Sequence, residues 1–248
     1  IMQKLKPPIA RMGGKSKLRN EIIQQLPEHK CYCEVFFGAG WVYFGKEASK
    51  VEVINDRDSN LVNFFRVLKF HSPEFERLLK YEVNARATFN FYKNSSVETD
   101  IQKAVQFFYK ISNSFGSRGN HYGYAPSKPP RQHSRLDFGR ISERIQKTYI
   151  ENLDFEELIQ KYDREYTVFF CDPPYYELTG YEIQFKKKDH LRLQNLLSGI
   201  KGKFLLTIND HPFIRELYHK FNVKEVKTVY TVSKTANKEV NELIVTNY

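Results

Sequence analysis

Cysteine is scarce in this chain. Three stand among 248 residues, Cys31, Cys33 and Cys171, an odd number lying in or beside apolar, strand-like segments, which argues against a disulfide framework and fits a reducing compartment. The seven histidines are scattered and never approach His-x₃-His or Cys-x₂-Cys spacing, so no metal site is expected. No run reaches the ~18 consecutive apolar residues of a membrane span, and the N-terminal residues lack an apolar signal core. A cytoplasmic protein without membrane contact is the expectation. Acid is also in short supply: 29 Asp+Glu against 39 Lys+Arg leave a net charge of +10. Such a balance points to a polyanionic partner, with a merely basic surface as the alternative. Internal repeats and low-complexity tracts are absent.

What is present is an alternation of short apolar runs with helix-like stretches. CEVFFGAG (33–40) reads as a strand running into glycines, and WVYFGKEAS after it as the start of a helix. VEVIND (51–56) is a second strand, followed by SNLVNFFRVLKF with Leu61, Phe64, Phe65 and Leu68 at helical spacing. KTYIENLDF (147–155), TVFFC (167–171) and KFLLTIND (203–210) read as further strands, and ELIVTNY (242–248) as a closing one. Strands alternating with helices imply an α/β fold with a mostly parallel sheet. Asp56, Asp154, Asp172 and Asp210 fall at or just beyond strand carboxyl ends, so all four should share one sheet edge, where α/β folds bind ligands.

About 90 residues separate the second strand from the third, far more than the dozen or so of a crossover. An insertion is therefore expected over residues 71–146, leaving 1–70 and 147–248 as the catalytic unit. It begins with helix-like SPEFERLLKYEVNAR and ETDIQKAVQFFYKISN and passes into the turn-rich SFGSRGNHYGYAPSKPPRQHSR. From Lys110 to Tyr149 stand Lys110, Arg118, Lys128, Arg131, Arg135, Arg140, Arg144 and Lys147 with Phe115, Tyr122, Tyr124 and Phe138 among them. Cations interleaved with aromatics suit phosphates and unstacked bases, and Arg118, Tyr122, Lys128, Arg131 and Arg135 are the expected DNA-binding residues. A solvated loop that happens to be basic is the alternative.

Two motifs carry chemistry. In FFGAG the glycines let the backbone approach a cofactor, and Asp56, 18 residues beyond Gly38, stands where a carboxylate can hold ribose hydroxyls. Because G-A-G lacks the rest of G-x-G-x-x-G, a nucleoside cofactor without pyrophosphate is favoured. GGKS (13–16) ends like a phosphate-binding loop, but position 9 is Ile9 and no apolar strand leads into it. An ATPase is not expected. Lys15 either lines a basic groove with its neighbours or neutralises a cofactor carboxylate. FFCDPPYYELTG (169–180) is the second motif: an apolar strand stopped by two prolines that cannot donate to a ladder. The Asp172 carboxylate and the Pro173 carbonyl can each accept an N–H from a nucleobase amine. That localises its lone pair, while Tyr175 can stack on the base. A simple strand-terminating turn is the structural alternative.

With these residues in place, the chain resembles the Dam-like, D12 class of DNA adenine methyltransferases, which use S-adenosylmethionine. The resemblance runs nearly end to end through PPIARMGGKSKL, CEVFFGAG, VEVIND, IENLDF, CDPPY, FKKKDHLRL and ELIVTNY. It implies a Rossmann-like class I methyltransferase sheet with an inserted, mainly helical target-recognition domain, acting on double-stranded DNA by base flipping. It also implies that Lys15, Phe36, Gly38, Gly40, Asp56 and Asp154 bind S-adenosylmethionine, and that Asp172, Pro173 and Tyr175 meet the target amine. Asp172 and Arg11 are counted with the cofactor residues as well. Arg11 stands where some members have an aromatic, which leaves its role open, and Val35 replaces a frequent proline.

Alternatives from other classes are a cytosine 4-amino methyltransferase, which usually has serine in place of the aspartate, and a catalytically silent DNA-binding module. RNA is not distinguished from DNA by charge. Methylation of the cytosine ring carbon is excluded, since no cysteine follows a proline. The recognition sequence, the oligomeric state and any partner restriction nuclease are not written in the chain, nor is whether it is phage-encoded, solitary or part of a restriction-modification system.

Overall fold

The computed structural model describes residues 5–11, 13–127, 129–130, 136–178, 185–233 and 236–248, with backbone alone at 229–233 and 236–239. Its strands are β1 (Cys31–Glu34), β2 (Val51–Asn55), β3 (Thr148–Glu151), β4 (Thr167–Cys171), β5 (Lys203–Asn209), β6 (Asn222–Ser233) and β7 (Ala236–Thr246). They form one sheet in the order β3-β2-β1-β4-β5-β7-β6. The first five run parallel, and the β6–β7 hairpin joins antiparallel through β7 on β5. This is an open, mostly parallel sheet of the Rossmann-like kind. The strand order reverses direction between β1 and β4, the switch point where open α/β sheets bind ligands.

Strand periodicity divides the core in two. Cys31, Cys33, Phe169 and Cys171 point to one face, and Tyr32, Val168 and Phe170 to the other. The first face is covered by α6 (Phe155–Tyr162), α7 (Lys187–Leu197) and α8 (Pro212–Leu217), which contribute Leu158, Leu193 and Ile214. The second is covered by α1 (Arg19–Gln25), α2 (Ser59–Leu79), α4 (Asp100–Ser112) and α5 (Phe138–Ile145), through Ile22, Phe64, Phe108 and Ile141. A further helix, α3 (Arg86–Asn94), lies beside α4 and buries Phe89. All three cysteines are buried thiols.

Four details depart from the sequence expectations. WVYFGKEAS forms turns rather than a helix. Val42, Tyr43 and Phe44 are buried in succession, which a helix with a single apolar face cannot arrange, and the Tyr43 N–H donates to the Glu34 side chain instead of a preceding carbonyl. The first strand starts two residues earlier than expected, at Cys31. The closing strand is longer than ELIVTNY and is paired with β6, whose exposed outer half, Asn222 to Glu225, gives no apolar alternation to read. Finally, α2 runs across the expected boundary at residue 70, breaking only at His71 (φ −136°, ψ 28°). Pro73 has no N–H to give the Lys69 carbonyl, and Gln146 donates to that oxygen instead at 2.7 Å.

Helices α4 and α5, with the second half of α2, share one apolar cluster with the sheet. Phe64 of α2 meets Phe108 of α4 at a centroid distance of 5.8 Å, and Phe75 meets Phe138 of α5 at 5.1 Å. Arg144 then pins α5 to the sheet. Its guanidinium lies 3.9 Å from the Tyr43 ring centroid and donates to Glu52 of β2 at 2.9 Å, while Lys46 donates to the same carboxylate at 2.6 Å. Arg144 is thus withdrawn from the set of cations available to a polyanion.

Candidate functional site

At the carboxyl ends of β1, β2, β3 and β4 lies a cavity of about 320 Å³, within the usual range of small-molecule sites. Every residue expected from the sequence to hold a cofactor lines it: Arg11, Lys15, Phe36, Gly38, Gly40, Asp56, Asp154 and Asp172, with Pro173 beside them.

The floor comes from the turn after β1. Gly38 has φ +52° and open space where a Cβ would be, and its N–H donates to Asp56 Oδ2 at 2.9 Å. Gly40, at φ +74°, could carry no side chain, because a Cβ would come within 2.4 Å of the Phe37 ring. Asp56 therefore ties the β1 and β2 exits together, its other oxygen accepting from the Asp58 N–H at 2.9 Å. Burial pushes its carboxyl above the ordinary aspartate range, opposed by these two N–H donors and by Arg11. Asn55 braces the same edge, donating to the Val35 carbonyl at 3.0 Å and accepting from the Leu153 N–H at 2.8 Å.

Arg11 acquires a definite place. It pairs with Asp58, the residue that caps α2 by accepting from the Asn60 and Leu61 N–H groups, and its guanidinium lies 5.5 Å from the Phe107 ring centroid. Asp154 caps α6 through the Glu156 N–H at 3.1 Å and pairs with Arg192 at 2.9 Å. Phe36, Phe155 and Phe185 form an aromatic wall with centroids 5.6 to 5.8 Å apart.

Lys15 reaches Asp172. Its ammonium is 2.7 Å from Asp172 Oδ1, donates to the Gly13 carbonyl at 2.8 Å and lies 4.8 Å from the Tyr175 ring centroid. Thr207 of β5 also donates to Asp172 Oδ1, at 2.9 Å, so both contacts fall on one oxygen. Burial pushes Asp172 above the usual carboxylate range; Lys15 and Thr207 pull it back, and the charge of Glu242 pushes it up. Tyr175 does not line the cavity. Its ring is buried, and its hydroxyl donates to Glu242 of β7. Asp210 lies outside as well, paired with Arg215 at 2.6 Å.

A profile of the D12 class N6 adenine-specific DNA methyltransferases matches residues 12–232. The chain belongs to that family. It is similar to a type II methyltransferase of Lactococcus lactis subsp. cremoris, 26% identical over 98% of this chain and 96% of that one. It is also similar to the DNA adenine methylase of Escherichia coli strain K12, 25% identical with coverages of 94% and 91%. The DNA adenine methylase of Haemophilus influenzae shows 26% identity with coverages of 97% and 93%. Its activity is accordingly S-adenosylmethionine-dependent, adenine-specific DNA methylation. Among the described residues no helix is long and apolar enough to cross a membrane, and no group of three or more His, Cys, Asp or Glu is placed to hold a metal.

Within residues 71–146, Ser114 and Tyr122 bridge a narrow turn that leaves Phe115 78% exposed and Arg118 exposed beside it. Tyr122 is anchored inward, its hydroxyl donating to Asn84 Oδ1 at 2.7 Å and its ring 5.7 Å from that of Phe89. Lys128, Arg131 and Arg135 lie outside the described residues. Glu34 was not anticipated. It lines the cavity from the end of β1, accepts from the Tyr32 hydroxyl at 2.7 Å, and is pushed by burial up to about 8. A single acid between Cys33 and Val35 in an apolar run was its only trace in the sequence.

Proposed function

We propose that the protein transfers a methyl group from S-adenosylmethionine to the 6-amino group of an adenine flipped out of duplex DNA. The cavity at the sheet edge supports this reading, because it gathers the cofactor residues and Asp172 within one wall. The group fits the site: open space at Gly38, carboxylates at Asp56 and Asp154, and the aromatic wall at Phe36 suit a nucleoside, and the Lys15 ammonium suits a carboxylate. When bound, the cofactor supplies a methyl group on positively charged sulfur.

The chain's own residues prepare the amine. Asp172 and the Pro173 carbonyl each take one N–H, drawing the nitrogen toward tetrahedral geometry, and proline holds the second acceptor rigidly. Asp172 then faces the positive charge that develops on nitrogen. The Lys15 ammonium sits between the Asp172 carboxylate and one face of Tyr175, so that ring face is turned toward the acceptor. A base stacked there would take the place of the ammonium, which is released toward the cofactor. Residues 71–146 serve as the target-recognition segment, with Phe115 and Arg118 exposed at a turn, and Lys128, Arg131 and Arg135 adding cations. The proposal extends to a partner restriction nuclease reading the same sequence.

Asp172→Ala should slow single-turnover methylation of an adenine-containing duplex by about 10²–10³-fold or more, since it removes a preorganised partner of the developing charge. DNA affinity should change little. Mapping modified bases on a mixed-sequence plasmid tests the base itself. Transfer at the wild-type rate by Asp172→Ala, or modification at cytosine alone, would refute the assignment.

A further inference from the structure

Asn209 ends β5, and Glu242 on β7 is its direct partner in the antiparallel ladder. Both side chains reach back to the turn that leaves β4. Asn209 accepts from the Tyr176 N–H at 2.9 Å and donates to the Tyr176 carbonyl at 3.1 Å, while Glu242 accepts from the Tyr175 hydroxyl. One cross-strand pair thus grips two consecutive residues of DPPYY.

The fold alone does not need this arrangement. Glu242 is 1% exposed on a strand otherwise closed by Leu243, Ile244 and Val245, and burying a carboxylate costs several kcal/mol unless hydrogen bonds offset it. Tyr175 is 4% exposed, so the bond is sealed from water. The other end of ELIVTNY does structural work of an ordinary kind, with Asn247 accepting from the Phe204 N–H at 2.9 Å. Glu242 instead addresses the reacting edge. Tyr175 lies between it and the Lys15 ammonium, which holds Asp172.

We propose that the Asn209–Glu242 pair positions the DPPYY turn, so that Asp172, the Pro173 carbonyl and the Tyr175 ring meet the target amine as one rigid unit; Glu242 is a positioning residue for methyl transfer. This rests on the adenine-methylating reading above. Asn209 fixes the backbone and Glu242 fixes the ring through its hydroxyl. The carboxylate also acts on Asp172 through space. The charged or titratable groups around Asp172 are Lys15 from the N-terminal segment, Glu34 from β1, Cys171 within β4 and Glu242 from β7. Of these, Glu242 raises the proton affinity of Asp172 and Lys15 lowers it.

The test compares Glu242→Gln, Tyr175→Phe and the double variant in single-turnover methylation with saturating cofactor. Fluorescence of 2-aminopurine at the target position reports the flipped base, and calorimetry reports cofactor affinity. Tyr175→Phe should slow transfer by roughly 10-fold or more, Glu242→Gln by less because its amide oxygen still accepts, and both should reduce the 2-aminopurine signal. At a pH above the acid limb the double should be no slower than Tyr175→Phe, because Glu242→Gln only weakens, through loss of charge, the bond that Tyr175→Phe removes. Cofactor affinity should stay within about twofold of wild type, as neither residue lines the cavity. In Glu242→Gln the acid limb of the pH–rate profile should move to lower pH, and in Tyr175→Phe it should not. Multiplicative losses in the double variant, wild-type rates in the singles, or a stationary acid limb in Glu242→Gln would each overturn the proposal. Should Glu242→Gln not fold, Tyr175→Phe, which removes only a hydroxyl, decides the question by its rate and 2-aminopurine signal. If the wild-type protein transfers no methyl group to adenine, the reading of the site has failed. If it does and the variants match it, only the positioning role has.

Discussion

On the proposed reading, Asp56 serves fold and function together. Its oxygens accept backbone N–H groups from Gly38 and Asp58, which fixes the carboxylate at the cavity wall where ribose hydroxyls would lie. Asp56→Ala should weaken cofactor binding by roughly 10- to 100-fold, the value of a hydrogen bond to a charged group, with DNA affinity preserved. Isothermal titration with an unchanged dissociation constant would remove Asp56 from the site. Glu34 makes a different prediction, about pH. Its carboxyl is moved from 4.5 up to about 8 by burial. The stability contributed by its bound proton is full below the unfolded value and is lost as pH rises through about 8. Glu34→Gln keeps an acceptor for Tyr32 and Tyr43 but cannot ionise. Its stability relative to wild type should rise between pH 4.5 and about 8, by roughly 4–5 kcal/mol at most, and then level off. Urea unfolding at several pH values checks this, and a difference independent of pH would contradict the assigned burial of charge.

Among elements, the attachment of α5 to β2 carries the clearest consequence. Arg144 and Lys46 share the buried carboxylate of Glu52. The Arg144–Glu52 hydrogen bonds hold Glu52 below the usual carboxylate range despite burial, and Lys46 adds to this. Removing one partner of a buried pair leaves the other charge short of compensation, a loss of roughly 3–5 kcal/mol. Arg144→Leu should therefore lower the thermal midpoint by roughly 10 °C and increase hydrogen exchange first in α5. Methylation per folded molecule at low temperature should persist, because Arg144 does not line the cavity. Unchanged exchange in α5 would show that the apolar contacts of Phe138 and Ile141 hold the helix unaided.

The whole molecule combines opposite fields. Its net charge is +10, yet the cavity is lined by Asp56, Asp58, Asp154, Asp172 and Asp189 against Arg11, Lys15 and Arg57. A polyanion is drawn to the surface, and a cationic sulfonium to the interior. Replacing Arg131 and Arg135 with glutamine should weaken duplex binding and flatten its salt dependence, the slope of log K against log salt falling by about 0.9 for each phosphate no longer neutralised. If one of the two reads a base, specificity relaxes at one position and the slope changes less. Filter binding at several salt concentrations measures the slope. Wild-type affinity, slope and specificity together would exclude these two arginines from the DNA surface.

The sequence by itself determined the parallel strands and the sheet edge on which Asp56, Asp154 and Asp172 stand. Apolar runs ending in Asp56 or Asp172 need no tertiary information to be read, because a strand buried on both faces must be continuous in hydrophobicity and its end must be polar. Only the tertiary structure decided which distant side chains share a carboxylate. Lys15 meets Asp172 across 157 positions of sequence, and Glu242 meets Tyr175 across 67; no local spacing encodes either pairing. The turns at Val42–Phe44 and the withdrawal of Arg144 follow the same rule. Local pattern proposed a helix in one case and a phosphate contact in the other, and burial against Glu34 and Glu52, each on another element, overrode it. The β6 strand lies at the sheet's edge, where solvent on one side removes the apolar signal that made the inner strands legible.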